Sequence, residues 1–416
     1  MTTQRIKQNI LLVLGLNFAW TFLVIQAILI PLYSARGLSP TQILSISTAF
    51  SVTLLLLDVP TGYLADRFSR RGALICAGLF KGLGGTVLVV WQTYPGFIAA
   101  FVLIGIGNSL FSGADLALLY EYNSQLIERQ ADPQPFAALL SRRLSMIQLG
   151  AALSAIMGGI IATTSFDRAL VLNCVIAWLS LAIALCISEP VTMREKTFVP
   201  HLARIGSILR LLTDRSTLLV QLLVARIWFL AILLIHGALL QMYWQYLRVP
   251  LAWFGLLWAL HSLISIALAW LVSAQKLSIS KSWSLWLLLF LPTVGFLGTA
   301  LSSKVMIIGI AFGLLFEIFR VLVSGQLNAQ FNELVPREHL ATVNSVASMG
   351  SRILFSVAAP LIGLSSETYG LPPTLGGLGL ACLAVGGIFV TLRLWLNPGR
   401  GLQNLQTWIK KYRHVH

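Results

Sequence analysis

Charge is scarce in this sequence. Of its 416 residues only 10% are Asp, Glu, Lys or Arg and 57% are hydrophobic, with a mean hydropathy of +0.83. A soluble globular chain carries roughly 25% charged and about 45–50% apolar residues. A larger core cannot absorb that gap, because a soluble surface must still be covered with polar groups. Cysteine is also sparse. Cys76, Cys174, Cys186 and Cys382 fall inside apolar runs without metal-ligand spacing, so they read as small hydrophobes and no metal is expected. A phosphate-cradling Gly-x-x-x-x-Gly-Lys loop, haem spacing and a Ser/His/Asp constellation are all missing. These absences argue against an ATP-driven pump and against an enzyme, and no cofactor is expected.

What the sequence does have is apolar runs of about 18–25 residues, enough to cross ~30 Å of hydrocarbon at about 1.5 Å per residue. Runs and polar breaks predict twelve spans, near 9–33, 42–64, 72–92, 97–120, 137–163, 167–188, 217–247, 251–274, 283–302, 304–327, 340–365 and 372–396. The expected fold class is an all-α integral membrane protein. The first run is too long for a signal-peptide core and lacks a small-residue cleavage site, so it reads as the first span.

Breaks after odd spans are tiny and rich in turn residues, such as Gly37-Leu-Ser39-Pro40 and Tyr94-Pro95-Gly96. They hold Arg36, Arg168, Arg248 and Lys304, and Arg226 and Arg320 read as the cations deep inside spans. The cationic excess falls at the termini and even breaks, which predicts a multi-pass protein of the cytoplasmic (inner) membrane with both termini in the cytoplasm. That distribution accounts for the net charge of +15 without a nucleic-acid partner. The longest hydrophilic stretch divides the spans six and six. The expected domains are a six-helix bundle over 1–188, a linker over 189–216, a second six-helix bundle over 217–396 and a basic tail over 397–416. Leu202, Ile205, Ile208, Leu209 and Leu212 recur at helical spacing in the linker, and Leu402, Leu405, Trp408 and Ile409 in the tail, as in helices lying on lipid headgroups. The tail reads equally well as a solvated end. The halves also echo one another: Ser112-Gly113 leads to Glu121 in span 4, and Ser324-Gly325 leads to Glu333 in span 10.

The break after span 2 reads Asp58-Val-Pro60-Thr-Gly62-Tyr-Leu-Ala-Asp66-Arg67-Phe-Ser69-Arg70-Arg71. This string resembles the loop signature Gly-x-Leu-Ala-Asp-Arg-x-Gly-Arg-Lys of the major facilitator superfamily, and its Pro-Thr-Gly lead-in resembles the drug-exporter-like branches. The resemblance implies two bundles that rock to expose a central site to either side in turn. It also implies a cytoplasmic gate of Asp58, Gly62, Asp66, Arg67, Arg70, Arg71 and Glu121. Gly62 would admit a neighbouring helix, Asp66 would accept hydrogen bonds from a facing helix start, and Arg70 would bridge to Glu121. Ser69 departs from the signature, which has glycine there, and would be modestly strained if the position needs φ > 0. In the second half the equivalent loop, Ala274-Gln275-Lys276-Leu-Ser278, lacks the acid, and span 5 with Gly150 and Met157-Gly158-Gly159 only loosely resembles the family's glycine-rich antiporter motif.

Ionisable side chains cost at least ~2.5–3.5 kcal/mol in hydrocarbon, so each one inside a span is a candidate site. In the family, spans 1, 4, 7 and 10 line the cavity. There the sequence places Asn17 and Gln26, Asn108 and Asp115, Arg226 and His236, and Glu317 and Arg320. Asn108, Ser112 and Asp115 are spaced to share a face of span 4, as are Glu317, Arg320, Ser324 and Asn328 on span 10. Asp115 is spaced equally to pair with Arg142, Arg143 or Arg352, and His261 reads as a packing residue. Glu317, Arg320 and Arg226 are expected to form the coupling centre. The implied function is secondary transport of a small amphipathic or anionic molecule by a monomer, coupled to protons and directed outward. Uptake or facilitated movement of an anionic metabolite is the alternative within transport; a non-transporting sensor or membrane-embedded enzyme is the alternative outside it.

Overall fold

A run of backbone crossing a bilayer must satisfy its own N–H and C=O groups, which leaves helices as the simple solution for each apolar stretch. The computed structural model describes residues 1–67, 69–131, 135–190, 217–273, 281–335 and 337–396, and these are almost wholly helical, with no strand among them. The linker and tail helices expected near 202–212 and 402–412, and the loop 274–278, lie outside the described residues. The helices are α1 (Thr3–Thr21), α2 (Leu29–Ala35), α3 (Pro40–Arg67), α4 (Arg70–Val90), α5 (Tyr94–Phe111), α6 (Ala114–Glu128), α7 (Phe136–Ala162), α8 (Phe166–Cys186), α9 (Thr217–Tyr246), α10 (Leu251–Ser273), α11 (Lys281–Leu301), α12 (Met306–Leu334), α13 (Arg337–Tyr369) and α14 (Leu371–Leu396). Eleven stretches among the described residues are long and apolar enough to span a membrane, and the shorter apolar helix Trp286–Leu301 stands where the ninth span was expected.

Two spans differ from the continuous helices expected. Span 1 stops at Thr21, passes through a non-helical link and a short 3-10 turn at Gln26–Ile28, and resumes as α2. Span 4 breaks at Ser112 and Gly113, where Gly113 has φ +88°, a conformation that costs little only without a Cβ. The break places Asn108 at the end of α5 and Asp115 in the first turn of α6, on two helices instead of one.

By backbone proximity the described residues form two compact units. One comprises the described residues within Met1–Val199, Leu234–Ile264 and Arg352–Leu371; the other comprises those within Pro200–Leu233, Ser265–Ser351 and Pro372–His416. The core of the first unit is built on Ile6, Leu16, Trp20, Leu74, Phe111, Leu118, Tyr122, Leu126 and Leu139, all under 9% exposed. Large hydrophobics such as Val175, Leu263, Leu361 and Ile388 point outward, as lipid-facing residues do.

Candidate functional site

Three polar clusters interrupt these apolar helices. The first surrounds the loop between α3 and α4. Ser69 is extended, with φ −164°, and serves as the N-cap of α4 by accepting from the backbone N–H of Gly72. The strain expected at Ser69 is therefore absent, because this position does not adopt positive φ. The same Oγ donates to Glu189 Oε2 at 2.7 Å, which also accepts the Arg71 backbone N–H at 3.1 Å. A carboxylate thus sits at the N-terminal end of α4, where the helix dipole favours it. Arg71 reaches the Leu185 carbonyl at 3.1 Å. Arg70 forms an ion pair with Glu121 of α6, the partner expected from the sequence. Asp58 accepts from Ser109 Oγ at 2.8 Å and lies 3.8 Å from Arg352 Nη2. A Cβ at Gly62 would meet no atom of the described residues within 4 Å. Side chains of Asp66 and Arg67 lie outside the described residues.

The second cluster closes the opposite helix ends, where the short turns are. Gln241 of α9 is 3% exposed. Its amide donates to the Gln26 carbonyl at 2.6 Å and accepts the Ile30 N–H at 3.1 Å. It therefore satisfies backbone groups that the break in span 1 leaves without helical partners. Gln26 contributes its backbone, while its own side chain is exposed. Ser34 donates to Gln245 at 3.1 Å, and Glu367 accepts the Thr41 N–H at the start of α3 at 2.8 Å. Close approach is needed as well: a Cβ on Gly363 would come within 2.6 Å of the Thr41 Cα.

The third group lies deep in the spans. In the first unit Arg143 Nε donates to Asp115 Oδ2 at 2.6 Å, and Asp115 is fully buried. Of the partners that the sequence allowed for Asp115, the structure selects Arg143. Asn17, also fully buried, donates to the Val13 carbonyl of its own helix. Asn108 Oδ1 accepts from Trp20 Nε1 at 3.2 Å. His236 and His261 are buried with ring centroids 6.4 Å apart, and His261 also packs on Trp244 at 5.7 Å. In the second unit Arg320 binds Glu317 Oε2 through Nε at 2.9 Å and Nη2 at 2.5 Å. Ser265 of α10 donates to the same carboxylate oxygen and accepts from Arg320.

Arg226 does not join this centre. Its guanidinium lies 5.1 Å from the centre of the Phe331 ring, and Phe331 is about 21 Å of helical rise beyond Glu317. A cation on an aromatic face is partly compensated without a carboxylate. The side chain of Asn328 lies outside the described residues.

Sequence reasoning missed several of these partners. Ser265, Ser109 and Gln241 are ordinary polar residues with no local mark. Lys81 carries a clear signal, a lone lysine in the middle of the apolar run 72–92, which a count of cations at termini and breaks does not set apart. It is 4% exposed and makes the contacts described below.

Comparison with known proteins agrees with this architecture. The chain is similar over most of its length to solved transporters: a POT family transporter in complex with 5-aminolevulinic acid (TM-score 0.69, 15% identity, 92% of this chain and 95% of that one), and the nucleoside transporter NupG (TM-score 0.74, 8% identity, 94% and 99%). At these identities the likeness is one of fold. A stretch of 111 residues is 28% identical to the human solute carrier family 2, facilitated glucose transporter member 12. That stretch covers 27% of this chain and 18% of the human protein. The profile of the Major Facilitator Superfamily matches residues 10–360. With that match running over most of its length, the chain belongs to the major facilitator superfamily and is a multi-pass membrane transporter.

Proposed function

We propose that this transporter moves a small amphipathic or anionic molecule out of the cell by alternating access, in exchange for protons. Its two rocking bundles are the six spans of 1–188 and the six of 217–396, with both termini cytoplasmic and the chain in the cytoplasmic membrane as a monomer. The observation that carries the reading is the cluster of Glu317, Arg320 and Ser265 on α12 and α10. One carboxylate oxygen holds both the guanidinium and the hydroxyl, and Arg320 is still 47% exposed. A proton on Glu317 weakens its hold on Arg320 and frees the cation for an anionic group of the substrate; loss of that proton restores the ion pair and expels the substrate. Proton and substrate are linked through one site.

The polar contacts at the short-turn ends support assigning those ends to the closed, extracytoplasmic gate. The resemblance of the loop string supports a cytoplasmic gate, with Asp58, Gly62, Asp66, Arg67, Arg70, Arg71 and Glu121 biasing the exchange between the two states. Outward direction rests on the resemblance of the Pro-Thr-Gly loop to exporter-like branches, and fold alone fixes no substrate.

The test begins with a ligand screen by thermal stabilisation of the purified protein, followed by flux in liposomes under an imposed pH gradient. Glu317→Gln mimics the protonated acid, so it should retain the ligand's stabilising effect and lose the response to the gradient. A folded variant with a wild-type gradient response overturns Glu317 as the proton site. Ligand-dependent flux indifferent to pH would favour facilitated movement of an anionic metabolite, and no flux for any stabilising ligand would favour a sensor.

A further inference from the structure

Lys81 belongs to neither gate cluster nor the Glu317 centre. It is the twelfth residue of α4, about 16 Å into the helix by rise. Its ammonium meets the Ala19 carbonyl at 3.1 Å, the Trp20 carbonyl at 2.8 Å and Ser180 Oγ at 3.4 Å, and lies 4.6 Å from the centre of the Trp20 ring. These two carbonyls are among the last of α1, just before the break at Phe22. Such carbonyls have no acceptor role left inside the helix and carry the negative end of its dipole. In broken spanning helices, unwound carbonyls of this kind are where coupling cations are held. Here the chain supplies the cation itself.

Among the described residues no carboxylate reaches the Lys81 ammonium, and Glu128, at the far end of α6, is exposed. On the helices packed against α4, Asp58, Asp115 and Glu121 are held by Arg352, Arg143 and Arg70, and Asp167 by Arg36. Cys174 contacts Thr86, Arg5 binds Ser188, and Tyr94 bonds Ser45; Lys7 lies in the first turns of α1 and Arg168 in the first turn of α8. Cys76 and Cys186 are exposed. Three ammonium N–H groups meet three acceptors, and Ser180 commits its own hydrogen to the Ile176 carbonyl at 3.2 Å. The neutral amine has two N–H groups and a lone pair. It must point that lone pair at an acceptor or pull Ser180 away from Ile176.

We infer that Lys81 is a second proton site, whose charged form caps the end of α1 and whose neutral form releases the link Phe22–Ile25. Release reaches the other broken span as well, because Trp20 stacks on Phe111 with centroids 4.1 Å apart and donates to Asn108, both on the last turn of α5. A role for this proton in coupling rests on the transporter reading above; the titration does not.

The test uses the full chain labelled with 5-fluorotryptophan in lipid nanodiscs, with the Trp20 resonance assigned through Trp20→Phe. Between about pH 5 and pH 10 the fluorine signal of Trp20 should move through a single titration, the range over which buried and exposed lysines change charge. Lys81→Arg and Lys81→Met should each give a pH-independent signal. Ser180→Ala keeps the lysine but removes one acceptor of the charged form, and so should move the midpoint to lower pH. A flat wild-type signal, a Lys81→Met signal that still titrates, or an unmoved midpoint in Ser180→Ala would each overturn the inference. A Trp20 titration as expected in a protein that carries no flux in liposomes would instead count against the transporter reading alone.

Discussion

The two halves of the chain carry the same short pattern and fold it differently. Ser112-Gly113 and Ser324-Gly325 each stand ahead of an alanine at the same offset and a glutamate eight residues beyond the glycine. The first pair breaks its span, with Gly113 at φ +88° and α6 starting afresh at Ala114. The second pair lies inside α12, which runs without interruption from Met306 to Leu334. Two residues after the glycine stands Asp115 in one case and Leu327 in the other. An acid in the first turn favours a helix start through the dipole, and here the buried Asp115 also holds the half-buried Arg143. Leucine offers neither, and Leu327 packs at 2% exposure. Span 1 and span 7 differ in the same way. The first is broken with Lys81 against its end, whereas α9 is continuous, and α11, the ninth span, has no lysine after its first residue. A repeated glycine permits a break; a charged partner from a neighbouring helix makes it the favoured state.

Making the first half resemble the second should expose this dependence. Asp115→Leu copies Leu327 and strands Arg143 without its acid, which should cost about 3–5 kcal/mol of stability. Thermal unfolding in detergent would show it, and adding Arg143→Met should restore most of the loss, since removal of a whole buried pair is often nearly neutral. Glycine replacements should then have opposite signs in the two halves. Gly113→Ala forces a Cβ into positive φ and should destabilise by about 1–2 kcal/mol. Ser69→Ala, which removes the cap of α4, comes next at about 1 kcal/mol, with Ser69→Gly nearer to wild type. Gly325→Ala has no atom within 4 Å of the new Cβ and should stabilise α12 by about 0.5–1 kcal/mol. If Gly113→Ala and Gly325→Ala shift unfolding in the same direction, the contrast between the spans is not set by backbone conformation.

Much of the fold was legible because its cause is local. A run of apolar residues as long as Met306–Gly325 can only be a helix in hydrocarbon, whatever its neighbours. The Arg70 and Glu121 pair was equally readable, since the loop string fixes one partner and the end of span 4 supplies the other. Asp115 shows where reading stops. Arg142, Arg143 and Arg352 were all spaced to meet it, and only the packing of α7 beside α6 puts Arg143 at 2.6 Å.

Composition, span positions and the loop signature were therefore determined by the sequence alone, because hydrophobic length and motif spacing are properties of neighbouring residues along the chain. Which spans break, that Arg226 lies on Phe331 instead of joining Glu317, and that Lys81 sits against the end of α1 were decided only in the tertiary structure. Each of these depends on the register of one helix against another. That register is set by many packing contacts together, and a shift of a single turn, about 5.4 Å, would exchange every partner.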